Sequence, residues 1–194
     1  MTPIPALARR AFVALLALGV VAPAFAADSS AKSDDTFTRS EVLREAEKMF
    51  GKGAKGMAEA IGKAFKDYGE PNAIIKGEEA GGAIGVGVRY GKGQLVTKGG
   101  ASRLVYWQGP SVGFDVGGNA AKCFTLVYHL PDPSKLFQRF PGVEGSLYFV
   151  GGFSVNYNRS DDIILAPVRL GVGWRQGASI GYLHFTPKKE FVPL

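Results

Sequence analysis

The sequence predicts a mainly β fold: a small, soluble antiparallel β-barrel of about eight strands, preceded by one or two short amphipathic helices. Three observations carry this. From residue 71 onward, short β-rich runs alternate with Gly, Pro and Asp/Asn turns at close intervals. Helical periodicity is confined to residues 38–70. The chain holds 27 Gly among 194 residues, about twice the usual ~7%, with no collagen-like period. That excess calls for a tight, strongly curved backbone.

The elements follow in order. Arg9-Arg10, the apolar stretch Ala11–Val21 and Ala24-Phe25-Ala26 have the charge, length and small-x-small ending of a secretory signal peptide. Cleavage is expected between Ala26 and Ala27. The stretch is shorter than the ~20 apolar residues a membrane-spanning helix needs. The paired arginines leave general and twin-arginine export both open. The protein is thus expected in the periplasm and not membrane-spanning after cleavage. Losing Arg9 and Arg10 lowers the formal net charge from +6 to +4. No Lys/Arg run is dense enough to point to nucleic acid.

Residues 27–37 read as a flexible start and 38–70 as the helical segment. Thr38 is a candidate N-cap, with Glu41 three residues on as its capping-box partner and Phe37/Val42 as a hydrophobic staple. Val42, Leu43, Ala46, Met49 and Phe50 recur at helical spacing, as do Met57, Ile61, Ala64, Phe65 and Tyr68. Gly51 and Gly53 break the pattern and Gly69-Glu70-Pro71 ends it. Each helix has an apolar face to bury, on the main body or on a membrane or partner. Lys63 and Lys66 on the second permit the latter.

The barrel domain is expected over 71–194. Its predicted strands are Ala73–Lys76, Ala83–Tyr90, Gln94–Lys98, Arg103–Gln108, Val112–Val116, Lys122–His129, Ser146–Tyr157, Ile163–Trp174 and Ala178–Thr186, with a possible helical turn at Ser134–Phe140. Gly85 and Gly87 share one strand face, as do Gly171 and Gly173, which favours a curved barrel over a sandwich. An outer-membrane barrel needs strands of ~9–11 residues, and several of these runs look only about half that length.

Composition and motifs exclude more chemistry than they offer. One Cys and two His rule out a disulfide framework and make a rich metal site a poor fit. The pattern G-x-S-x-G occurs at Gly109–Gly113, where no helix follows as a nucleophile elbow requires, and again at Gly177–Gly181; two matches in a Gly-rich chain show how easily it arises. No phosphate-binding loop is present. Glu78-Glu79 and Asp161-Asp162 read as turn acids, and Cys123 as a small buried hydrophobe. No catalytic residue, metal or cofactor is predicted. Tyr106 and Trp107 are the candidate surface for a ligand or partner, because such rings suit a site apolar at one end and wet at the other; both could instead be core. Asp115, Lys63 and Lys66 join them as candidates, and Asp115 with His129 or His184 is the set a hydrolase would have to use.

The blocks Tyr68–Ala73, Ile75–Gly82, Arg89–Gly93, Val105–Gly113, Leu126–Tyr128, Gln138–Phe140 and Gly181–Pro187 resemble the envelope integrity protein A family. The resemblance covers about residues 68–194. It implies a soluble periplasmic barrel of roughly eight strands, a role in envelope integrity and envelope-stress resistance, and a link to surface polysaccharide. It carries over no catalytic or ligand residue. The block around Trp107, with Gly117-Gly118 and Phe124–Val127, is also similar in pattern to the SYLF lipid-binding domains. The expected function is therefore non-enzymatic: binding an envelope component (phospholipid, lipopolysaccharide or peptidoglycan) or an envelope protein, with a lipid-binding module as the alternative and an envelope hydrolase behind it.

Overall fold

The computed structural model describes residues 35–115, 120–170 and 181–190, with the backbone alone at 82–87 and 111–115. The expected signal peptide with its Ala26/Ala27 cleavage site, most of the expected flexible start, and Gly171 and Gly173 lie outside the described residues. Among the described residues two helices, α1 (Arg39–Phe50) and α2 (Met57–Tyr68), precede nine strands. These are β1 (Ala73–Thr97), β2 (Ser102–Asp115), β3 (Ala121–Tyr128), β4 (Arg139–Pro141), β5 (Tyr148–Val150), β6 (Phe153–Val155), β7 (Asn158–Ser160), β8 (Ile163–Leu170) and β9 (Tyr182–Thr186).

The helices start and stop where their sequence dictates. Thr38 caps α1 in a full capping box with Glu41, and Phe37 packs in the same apolar cluster as Val42. Gly51 and Gly69 close the two helices at positive φ. Val42 and Ala46 of α1 and Met57, Ala60, Ile61 and Ala64 of α2 are fully buried, so both apolar faces are spent on the barrel wall.

Among the described residues every strand pairing is antiparallel, in the order β4-β9-β2-β1-β3-β8-β6-β5, with β7 also on β8. β6 and β7 pair with β8 in one common register. They are two pieces of one strand, and the gap at Asn156-Tyr157 falls opposite Pro167, which has no N–H to give. Asp161-Asp162 is the turn of that hairpin. The sheet curls until β4 meets β7. There the Gly142–Asn158 bridge joins its edges, Val143 N–H donates to Tyr157 O (2.8 Å) and Asn158 Nδ2 donates to Phe140 O (3.1 Å).

Strand alternation then sorts the side chains into two cores. Ala73, Ile75, Val105, Trp107, Cys123, Val127, Leu165, Leu183 and Phe185 face inward and fill the barrel. Ile74, Phe124, Leu126, Tyr128, Phe153, Val155, Ala166 and Val168 face outward beneath the helices. β3 and β8 are thus buried on both faces, which is why they read as nearly unbroken apolar runs. Polar ties fix the helices over that wall. Lys98 reaches Glu41 (2.8 Å), Lys76 reaches Glu45 (2.9 Å), and Lys122 Nζ donates to Met49 O (2.6 Å). Tyr148 Oη donates to Ala60 O (3.0 Å) and Tyr157 Oη to Asp67 (2.5 Å).

Four expectations need correction. The predicted strand Ser146–Tyr157 is a hairpin of β5 and β6 that turns at Gly151-Gly152. The predicted strands Ala73–Lys76, Ala83–Tyr90 and Gln94–Lys98 are one strand of 25 residues, and Arg103–Gln108 and Val112–Val116 are one strand, β2, passing through Gly109-Pro110. The glycines taken as breaks serve close approach instead. A Cβ on Gly93 would lie 2.6 Å from Lys76 O and 2.9 Å from Gly77 Cα, so the two halves of β1 pack backbone against backbone. The possible turn at Ser134–Phe140 is a 3-10 turn at Pro133–Leu136 leading into β4.

At Gly91 an added Cβ would collide with the indole of Trp107, a rigid ring. Gly91→Ala is expected to destabilise the protein by about 1–3 kcal/mol, read as a lower urea midpoint. Gly99→Ala, with no neighbour within 4 Å, should stay within about 0.5 kcal/mol of wild type. Equal effects of the two would refute the packing described for β1.

Candidate functional site

The barrel interior contains a charged centre that the sequence reading assigned to a turn. In β1, Ala73, Ile75, Gly77 and Glu79 share one face, and that face is the interior. Glu79, 5% exposed, accepts Arg169 Nε on Oε2 (2.7 Å) and Arg169 Nη2 on Oε1 (3.0 Å). This is the two-point geometry that a guanidinium offers a carboxylate. Trp107 Nε1 donates to Glu79 Oε1 (2.8 Å), and Arg89 Nε lies 3.6 Å from Oε2. The chain of bonds continues from Arg169 Nη1 to Asn156 Oδ1 (2.7 Å), from Asn156 Nδ2 to Asn158 Oδ1 (3.0 Å), and from Asn158 to the β4 backbone at the seam.

Burial alone would raise the Glu79 pKa, but the guanidiniums of Arg169 and Arg89 outweigh it and hold the carboxyl at about 2. Burial, with Glu79 nearby, pushes the Cys123 thiol up to about 12, so Cys123 is an inert core residue. The network is internally satisfied and has a structural character.

An open cavity of about 380 Å3 lies beside it, within the range of roughly 300–1,000 Å3 typical of small-molecule sites. The registers of β1, β2 and β9 put Lys92, Tyr106 and Thr186 in one row of the sheet. Tyr90, Gln108 and His184 form the next row on the same face. All but His184 line the cavity. Glu79 and Trp107 reach its wall from the barrel side, and Glu78, Lys189 and Glu190 complete its charged rim. Gln108 is 4% exposed, and its Oε1 has no hydrogen-bond partner.

The structure places the predicted site residues as follows. Tyr106 and Trp107 both reach this cavity, but not as a surface pair. Adjacent strand residues point to opposite faces, so Trp107 is 3% exposed and stacks on Phe185 at 5.6 Å inside the barrel, while Tyr106 stands half-buried on the other face. Asp115 ends β2 opposite Ala83, and its side chain lies outside the described residues. Lys63 is on α2, paired with Asp67 (2.6 Å) and 4.9 Å from the Tyr148 ring centre. Lys66 is exposed on the same helix. Neither lysine lines the cavity. His129 donates through Nδ1–H to Asp162 O (3.1 Å), in a separate hollow with Asp161 and Asp162. Among the described residues no group of His, Cys, Asp and Glu is arranged to hold a metal. Gln108, Tyr90 and Lys92 went unnamed in the sequence. Their signal was the period-2 relation to Tyr106, legible only once the strand pairings are known.

Removing the Glu79 charge leaves two buried guanidiniums short of a counter-ion. Glu79→Gln should cost about 3–5 kcal/mol at neutral pH. A carboxyl whose pKa falls on folding stabilises fully above its unfolded value, and that stabilisation fades as pH drops toward the folded value. Wild-type stability is therefore expected to decline as pH falls from 4.5 to about 2, by an amount on the order of 3 kcal/mol from this group. Urea melts across that range check it: a slope in Glu79→Gln as steep as wild type would be inconsistent with this assignment.

Comparison with known proteins agrees with the fold. The structure is similar to the crystal structure of a beta-barrel-like, uncharacterized protein from Brucella abortus, with a TM-score of 0.74, 40% sequence identity, and coverage of 82% of this chain and 99% of that one. A search of curated proteins gave no match. The family model described as envelope integrity protein A matches residues 35–194, and with that match the chain belongs to the envelope integrity protein A family.

Proposed function

We propose that this protein is a non-catalytic periplasmic protein that supports envelope integrity and envelope-stress resistance by binding an envelope component at the Tyr106 cavity. The family match over residues 35–194 carries the envelope role. The amino-terminal sequence, read as a signal peptide, supports export. Support for binding comes from the cavity, where aromatic rings, an amide and charged groups converge in a concave space. Support for a non-catalytic role is chemical. The buried carboxylate is committed to two arginines, the thiol is held protonated, and Ser111 of the first G-x-S-x-G pattern sits inside strand β2, not at the strand-to-helix turn a nucleophile elbow needs.

The lipid-binding alternative draws on a surface aromatic cluster at Tyr106 and Trp107, of which Trp107 is buried in the barrel, and on α2 as a membrane-facing helix. Its apolar residues are buried against the barrel wall, and Lys63 is engaged by Asp67. Among the described residues no helix is long and apolar enough to cross a membrane. The open cavity is therefore the better starting point than the helix.

Co-sedimentation of the purified protein with phospholipid vesicles, lipopolysaccharide and peptidoglycan, at low and high salt, tests the reading. Binding to one of them that survives high salt is expected. Binding to every anionic surface that vanishes in salt would reflect only the basic charge and would count against a specific site. Failure to bind any of the three would shift the role to a protein partner.

A further inference from the structure

We infer that the cavity's ligand is an uncharged, hydroxyl-rich ring, a sugar residue of an envelope glycan. This rests on the reading above that the cavity binds an envelope component, and it narrows that component by chemistry.

The first observation is Gln108. Its amide is buried, it lines the cavity, and its Oε1 has no partner. A buried acceptor left unpaired costs roughly 1–3 kcal/mol, so the site gains from a ligand that brings a donor. A hydroxyl is donor and acceptor at once and pairs with the amide in either orientation. A phosphate dianion or a carboxylate brings only acceptors. An acyl chain brings nothing, and would bury the amide further.

The second observation is charge. The rim offers Lys92 and Lys189 against Glu78 and Glu190, Glu79 reaches the wall as well, and the two arginines that face Glu79, Arg169 and Arg89, do not line the cavity. Among the described residues the lining thus has no surplus of cations with which to draw an anion. The third is shape. Tyr106 and Tyr90 stand in successive rows of one sheet face. Both amphipathic rings line the cavity, and an aromatic face suits the C–H face of a pyranose, whose hydroxyls would turn to Gln108 and the rim.

The test is competition. The purified protein is sedimented separately with peptidoglycan and with lipopolysaccharide, in the presence of millimolar methyl glycosides of N-acetylglucosamine, glucose or mannose, or of inorganic phosphate or octanoate. The inference expects one of the glycosides to release the protein, and the arm in which it does so identifies the glycan's source. Phosphate and octanoate should have no effect. Tyr106→Ala and Gln108→Leu are expected to weaken binding by at least about tenfold. Gln108→Leu discriminates best. It removes an unsatisfied buried acceptor, so its Tm should hold or rise by roughly 2–4 °C while binding falls.

Release by phosphate or by octanoate instead of a sugar would overturn the inference and identify an anion or lipid site, leaving the envelope-binding reading intact. Sedimentation that no glycoside affects would overturn it likewise. Should the protein sediment with neither polymer, saturation-transfer NMR with the same glycosides decides the cavity directly: a signal lost in Gln108→Leu upholds it, and no signal overturns it.

Discussion

A carboxylate inside a barrel this narrow dictates much of what surrounds it. Glu79 is buried with two arginines and an indole N–H on its two oxygens. A carboxylate stripped of water is tolerated only with such a complete set of partners. The partners come from different strands: Trp107 from β2, Arg169 from β8, Arg89 from the far half of β1. Through Asn156 and Asn158 the same chain of bonds reaches the seam at β4. The pair therefore acts on register as much as on stability. A one-residue slip of β1 against β3 would turn Glu79 out and leave Arg169 facing an apolar interior. That alternative is excluded electrostatically, whereas the apolar contacts on both faces of β3 would discriminate far less.

The glycines make this arrangement possible by bringing the walls together. Gly77 and Gly93 let the halves of β1 touch, and Gly91 leaves room for the Trp107 ring. With Trp107, Phe140 and Phe185 packed in a row, little room remains in the barrel's middle. The two faces of the sheet are then free for different uses. Beneath α1 and α2 the outer face is a second core. Across β1, β2 and β9 it carries the mixed aromatic and polar rows that line the cavity.

Some of this was legible in the sequence, and the division is physical. Helix signals are local. The Thr38 cap, its Glu41 partner and the stops at Gly51 and Gly69 depend on a few neighbouring residues, and the structure reproduces each. The β-barrel class was legible from texture. The span of β1 was not, because a glycine in a turn and a glycine pressed against another strand look alike until the other strand is in place. Glu79 failed for the same reason. Beside Glu78 and close to Gly77, it has the local chemistry of a turn, although its place in the Ala73, Ile75, Gly77 alternation put it on the inner face. The partner that makes burial tolerable, Arg169, is 90 residues away.

Tyr106-Trp107 shows how one strand step separates the barrel interior from the cavity face. The two residues are the most individual pair in the sequence, and a single functional label for both was natural. Strand geometry divides them. Trp107 belongs to the interior, where its N–H satisfies Glu79 and its ring fills the space that Gly91 vacates. Tyr106 belongs to the opposite face, between Lys92 and Thr186. Because Trp107 is pinned on one side, the backbone at 106 and 108 is held in register with β1 and β9, and the rows carrying Tyr106 and Gln108 inherit that rigidity. A recognition surface built on a strand that is fixed from beneath loses little conformational entropy when a ligand arrives. The buried ion pair and the cavity are thus coupled through one side chain, with the interior supplying the order that the outer face uses.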